Sequence, residues 1–146
     1  MGCSHQTLTR LTTAIFYSMS DDKRKVIDME AKSVPADLQL FMNHIYEFKK
    51  GVRNMVLFTM SSKHEEFATK RLESNGISYI IQRVTPGKIN LFFGKTECMD
   101  VIRQIVIRPL NQLSPEEDFI IGAMLGYDIC QQCTRFCDMK QHSATA

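Results

Sequence analysis

Residues 77–93 read ISYIIQRVTPGKINLFF, and this stretch decides the fold. Two runs rich in β-branched and aromatic residues, 77–84 and 88–93, flank the turn Thr85-Pro86-Gly87. Both runs have the length and composition of strands with alternating faces, and a short turn containing proline and glycine between two strands indicates a hairpin. We therefore predict two neighbouring antiparallel strands.

Upstream of the hairpin, the sequence predicts a third strand between two helices. Residues 54–60, NMVLFTM, form an apolar run of strand length. Apolar residues recur at helical spacing between Pro35 and Gly51, and a second helical pattern separates the run from the hairpin. Because strand, helix and strand in this order imply a right-handed crossover, we predict a parallel pair of strands 54–60 and 77–84. The hairpin strand completes a mixed three-stranded sheet.

Two further helices are predicted after the hairpin. Thr96 begins one, which stops before Pro109 because a residue that precedes proline disfavours the helical conformation. The run 114–117, Ser-Pro-Glu-Glu, combines an N-cap, a first-turn proline and a capping box. From there we predict one long C-terminal helix of about six turns, reaching about Cys137. The order α-β-α-β-β-α-α defines an α+β fold in which helices cover the sheet.

Length and composition indicate one globular domain. The chain has 146 residues, of which 44% are hydrophobic and 23% are charged, so a disordered chain is excluded. We expect a mobile N-terminal extension over 1–33, a single domain over 34–138 and a disordered tail over 139–146. No apolar run is long enough to span a membrane, and an odd number of cysteines, crowded near the C-terminus, favours a reducing, cytoplasmic compartment.

Charge is distributed unevenly, although the net charge of +2 is too small to indicate a nucleic-acid partner. Positions 44–110 contain eleven Lys and Arg residues but only six Asp and Glu residues. Positions 111–138 contain one Arg residue and five Asp and Glu residues. This pattern favours docking between two copies, or docking of an acidic protein on the basic part. The basic patch Lys49, Lys50 and Arg53 is the candidate surface for such a partner.

The C-terminal cysteines form the sharpest local pattern. On a continuous helix, Cys130, Cys133 and Cys137 fall on one stripe that includes Gly126. A metal centre needs more ligands than this stripe supplies, so we interpret it as a packing surface and predict no metal and no cofactor. Two copies of the chain together present six thiols, which keeps a shared metal or cluster site open. Gly122 and Gly126 permit close approach of another backbone, either within the chain or across a dimer seam, so these glycines and cysteines are the interface candidates.

Two sites for thiol or acid–base chemistry are weaker candidates. Cys98 lies at a helix start, where a thiolate is favoured, but it needs His44 or His64 as a base, and its spacing also fits the core. His44 and Glu47 lie one helical turn apart and are able to share a proton or form a surface pair. A small thiol- or metal-dependent enzyme using Cys98 or the cysteine stripe is therefore the alternative function.

Several runs resemble a small bacterial family known only as a domain of unknown function. They are HIYEFKKGVR at 44–53, NLFFG at 90–94, SPEEDFIIG at 114–122, LGYD at 125–128 and Gln132-Cys133. The resemblance covers about residues 35–137 and implies three strands with about five helices, a homodimer, and genes that often lie beside a flavodoxin gene. It implies no reaction. We therefore predict a homodimeric accessory or protein-interaction module linked to flavodoxin-type electron transfer, with no membrane or nucleic-acid partner.

Overall fold

The computed structural model describes residues 34–145, which form an α+β fold around a three-stranded antiparallel sheet. The strands are β1 (Met55–Ser61), β2 (Ser78–Thr85) and β3 (Lys88–Gly94). The helices are α1 (Ala36–Lys49), α2 (Glu65–Ser74), α3 (Thr96–Ile105), α4 (Pro115–Met124) and α5 (Ile129–Thr145). Single 3-10 turns lie at Ser62–His64 and Leu110–Gln112. The predicted N-terminal extension 1–33 lies outside the described residues.

The strand order is β1-β3-β2, so the predicted parallel pair and mixed sheet are wrong. The central strand β3 pairs antiparallel with both neighbours, with Phe93 opposite Val56 of β1 and Phe92 opposite Ile80 of β2. The β1-α2-β2 crossover leaves room for one strand between β1 and β2, and β3 occupies this central position. The predicted hairpin of β2 and β3 is confirmed. Residues 89–93 of β3 are all buried, and a strand that is buried on both faces belongs in the middle of a sheet.

The sheet separates two apolar clusters. Helices α1 and α2 cover one face, where Phe41 of α1 meets Phe93 edge to face at 5.8 Å between ring centroids. Helices α3 and α4 cover the other face, where Phe92 packs with Met99 and Ile102. Alternate residues of β3 thus enter opposite clusters, so this one strand ties both helix layers together.

A row of hydrogen bonds crosses one end of the sheet. Thr59 Oγ1 donates to Asn90 Oδ1 at 2.7 Å, and Asn90 Nδ2 donates to Gln82 Oε1 at 3.1 Å. Gln82 Nε2 then donates to the Arg108 carbonyl at 2.9 Å. Within residues 34–145, Asn90 is the one buried polar residue, and these partners satisfy its amide. The row therefore joins all three strands to the loop that follows α3.

The predicted long C-terminal helix is two helices. The Ser114 capping box is confirmed, since Glu117 N donates to Ser114 Oγ at 3.2 Å and Ser114 N donates to Glu117 Oε2 at 2.8 Å. However, Gly126 has φ +77°, which no helix interior accommodates, and α4 ends before it. Asp128 then accepts a hydrogen bond from Gln131 N at 2.9 Å and caps α5. Residues 139–145 continue α5, so the expected disordered tail is helical through Thr145.

Candidate functional sites

Helix α5 packs against α4 as an antiparallel hairpin. The Phe119 and Phe136 rings meet at 5.7 Å, and Arg135 donates two hydrogen bonds to the Asp118 carboxylate at 2.7 and 3.0 Å. Lys140 pairs with Glu116 one turn further along. These contacts hold one face of α5 and leave its other faces open within the described part of the chain.

The three cysteines of the stripe lie outside this contact. Cys130, Cys133 and Cys137 are free, exposed thiols, so they do not pack against the core of their own chain. Contrary to the packing interpretation, the face of α5 that packs carries Phe136 instead. The physical reason is the break at Gly126, which gives α5 a direction and rotation independent of α4. The role of the cysteines as interface candidates between copies stays a prediction.

The two glycines have unrelated roles. Gly122 is buried, and a Cβ atom at this position would overlap the side chain of Gln132 from α5. Gly122 therefore allows α4 and α5 of the same chain to approach each other closely. Gly126 lies at the turn between the helices, where its positive φ serves the chain reversal. The two glycines thus form no continuous helical seam.

The arrangement of thiols limits which ions one chain can bind. Among residues 34–145, no group of three or more His, Cys, Asp or Glu side chains is placed to hold a metal ion. Cys130 and Cys137 are separated by about 10 Å of helical rise, whereas each lies about one turn from Cys133. The stripe therefore offers adjacent thiol pairs rather than one three-thiol centre.

Cys98 and the histidines are not brought together. Cys98 is half-buried against the cluster that contains Met99, on the face of the sheet covered by α3 and α4. His44 contacts Phe58 on the opposite face, with 5.2 Å between ring centroids. His64 follows β1 at the hairpin-turn end of the sheet, away from the first turn of α3. Within the described part of the chain, neither His44 nor His64 is therefore placed to act as a base for Cys98.

His44, Glu47 and Arg53 do form a cluster. His44 Nδ1 lies 3.7 Å from Glu47 Oε2, which is longer than a hydrogen bond, whereas Arg53 Nε lies 2.9 Å from the same oxygen in an ion pair without hydrogen-bond geometry. Glu47 is therefore the ion-pair partner of Arg53 more than the acid–base partner of His44. Because its charge is compensated, Arg53 drops out of the predicted basic patch.

The end of α1 presents the remaining cations together with exposed apolar groups. Lys49 and Lys50 are exposed, and within residues 34–145 neither forms an ion pair. Tyr46 and Val52 beside them are 58% and 70% exposed, and Lys50 Nζ lies 5.4 Å from the centre of the Tyr46 ring. We call Tyr46, Lys49, Lys50 and Val52 the α1 tip. The apolar half of this surface was not predicted, although Tyr46 lies off the apolar stripe of α1 in the sequence.

The acidic run 116–118 at the start of α4, in contrast, is neutralised inside the chain. Each of its three consecutive carboxylates has its own cation: Glu116 has Lys140, Glu117 has Arg108 and Asp118 has Arg135. The hydrogen bond from Lys140 holds the pKa of Glu116 below its ordinary value, and the hydrogen bond to Asp118 raises the pKa of Arg135. The charge asymmetry of the sequence therefore survives at the α1 tip and is lost around α4.

No helix within residues 34–145 is long and apolar enough to cross a membrane. Fold and site together define a small α+β protein with a split β-α-β core, a basic and apolar tip, and an exposed row of thiols. A family model described as "Protein of unknown function (DUF2023)" matches residues 39–139, and the chain belongs to this family. No curated protein matches the chain.

Proposed function

We propose that the protein is a homodimeric interaction module without a catalytic site of its own, which docks an acidic electron-transfer protein of the flavodoxin type. The observation that carries the proposal is the α1 tip, where two cations that have no carboxylate partner among residues 34–145 adjoin exposed Tyr46 and Val52. Most other cations of the described chain have a carboxylate partner, for example Arg83 with Glu65.

Surfaces of this composition suit a transient partner. An exposed aromatic ring supplies contact area at a small cost in conformational entropy, and charges around it steer an oppositely charged protein into register. Flavodoxins are acidic proteins, and the resemblance of this chain to a family whose genes lie beside flavodoxin genes makes them the first partner to test. Binding of this kind weakens steeply with salt because most of the attraction is long-range.

Reversing the two lysine charges tests this surface. The double substitution Lys49→Glu and Lys50→Glu is expected to weaken binding of an oxidised flavodoxin about tenfold or more at low ionic strength, because each rim charge contributes several tenths of a kcal/mol or more. The matched control is Lys63→Glu with Lys88→Glu, which makes the same change in net charge at the opposite, hairpin-turn end of the sheet. Titration calorimetry measures the affinity of both double variants and of the unaltered protein for the flavodoxin. An equal loss in both double variants, or no binding by the unaltered protein, contradicts the proposal.

The homodimer is a separate part of the proposal. A three-stranded sheet in the order β1-β3-β2 leaves the outer backbone edges of β1 and β2 without a strand partner among the described residues. Such edges favour pairing with a second chain. Native mass spectrometry of the whole protein at micromolar concentration is expected to show twice the chain mass of 16.8 kDa. A monomer under these conditions contradicts the homodimer, whereas the proposed role of the α1 tip in partner binding does not depend on this result.

A further inference from the structure

We propose that Cys130 and Cys133 form a reversible dithiol–disulfide pair at the start of α5. This site lies outside the α1 tip and goes beyond the proposed function. The observation behind it is the place of the helix break: α5 begins at Ile129, so the Cys-Gln-Gln-Cys sequence occupies its first turns rather than the middle of a long helix. Both thiols are free and exposed.

The spacing of the two cysteines suits a disulfide. Residues i and i+3 of an α-helix have Cα atoms about 5 Å apart, within the range of about 4.4–6.8 Å that disulfides span. Their Cβ atoms lie about 5–6 Å apart and must approach by roughly 1–2 Å. The start of α5 eases this adjustment, because the N–H groups of residues 129–131 have no intrahelical acceptor, and the first intrahelical bond of the turn is the one that Gln132 N donates to the Asp128 carbonyl at 3.0 Å. Asp128 caps the next amide, Gln131 N, from outside the helix.

Cys137 is the competing partner, and the helix disfavours it. Cys133 and Cys137 are spaced i and i+4 in the interior of α5, so closing them strains a fully hydrogen-bonded stretch of backbone. The contact of Phe136 with Phe119 also fixes this part of α5 against α4. The Cys130–Cys133 pair lies nearer the start of α5 and away from the Phe119–Phe136 contact, and Gln132 between the two cysteines packs its side chain against Gly122 of α4. The two exposed thiols lie outside that contact.

The chemistry is thiol–disulfide exchange with a small disulfide such as glutathione disulfide. The thiolate of one cysteine attacks a sulfur atom of this oxidant, a mixed disulfide forms, and one glutathione thiolate leaves. The second cysteine, after losing its proton to solvent, attacks the protein sulfur of the mixed disulfide and releases the second glutathione. The two glutathione thiolates take up the two protons lost by the protein. A dithiol reductant reverses both steps.

The sequence makes the pairing directly readable. Arg108 precedes proline and resists trypsin, so Cys130 and Cys133 share the tryptic peptide 104–135, whereas Cys137 lies alone in 136–140. The whole protein is incubated with glutathione disulfide, quenched with acid, blocked with N-ethylmaleimide, digested without reduction and analysed by mass spectrometry. The expected product is peptide 104–135 lacking two hydrogen atoms and carrying no maleimide. It should disappear after treatment with dithiothreitol.

Three serine variants provide the controls. Cys137→Ser is expected to form the product to the same extent as the unaltered protein, and Cys130→Ser or Cys133→Ser to lower it at least tenfold. All three changes affect exposed positions, so folding is expected to be retained. A disulfide that joins peptide 104–135 to 136–140, to the peptide of Cys3 or to a second chain overturns the proposal, and so does a stable glutathione adduct on either cysteine. No flavodoxin is present, so the outcome is independent of the proposed docking function.

Discussion

Replacing Phe93 by alanine is expected to lower the free energy of unfolding by about 3–5 kcal/mol, the usual range for removing a buried phenylalanine side chain. The side chain is fully buried on the central strand, with its ring 5.8 Å from that of Phe41 and 6.5 Å from that of Phe48. β3 is held from both sides, so the neighbouring strands are unable to collapse into the cavity. Since small proteins are stable by only about 5–15 kcal/mol, this loss removes a large fraction of the total.

Urea unfolding followed by circular dichroism measures this effect. The matched control is Phe67→Ala on α2, where the side chain is 47% exposed and its removal leaves no enclosed cavity. That change is expected to lower the free energy of unfolding by less than about 1 kcal/mol. Similar midpoints for the two variants would show that β3 is not the centre of the core.

The strand order illustrates what local sequence signals leave open. The hairpin follows from residues 77–93 alone, because its turn joins strands that are adjacent in the chain. Whether β1 pairs with β2 or with β3 depends on the crossover between β1 and β2, and the residues of β1 are compatible with both arrangements. The deciding signal lay in β3, whose residues 89–93 are buried on both faces. Its richness in apolar residues was visible in the sequence and favoured the central position.

The break between α4 and α5 had a local signal of its own. Gly126 is a helix stop signal, and Asp128, two residues later, is a helix start signal. This order is typical of a chain that ends one helix and begins another. The regular spacing of the cysteines and glycines outweighed that signal in the sequence reading. The consequence is chemical as well as topological, since the break moves Cys130 from the interior of a helix to its first turn.

The candidate surface was predicted in part. The cluster of lysines that ends α1 was evident from the sequence, and the structure leaves Lys49 and Lys50 exposed. Removing Arg53 from this set requires three-dimensional information, because its partner Glu47 is six residues away and on the preceding helix. The same holds for Arg135, which reaches Asp118 across 17 positions of sequence. Counts of charge along a chain describe a surface only after such pairs have been subtracted.

Replacing Gly94 by alanine is expected to destabilise the protein by about 2–3 kcal/mol, since a Cβ atom there would lie 2.8 Å from Met55 Cα. The obstacle is backbone that cannot yield, because Lys95 N donates to the Asn54 carbonyl at 3.0 Å and Gly94 is paired with both Met55 and Ser78.

The control for this substitution is Gly87→Ala in the hairpin turn, where a Cβ atom would meet nothing within 4 Å and φ is not positive. For this variant we expect the free energy of unfolding to stay the same or to rise by up to about 1 kcal/mol, since alanine restricts the conformations of the unfolded chain. β1 begins where the loop carrying Val52 ends, so the clash at Gly94 should also displace the α1 tip. Amide chemical shifts of residues 52–56 are therefore expected to move in the Gly94 variant and to stay unchanged in the Gly87 variant. Unfolding midpoints that agree between the two would mean that the close approach of β1 to β3 is relieved at little cost.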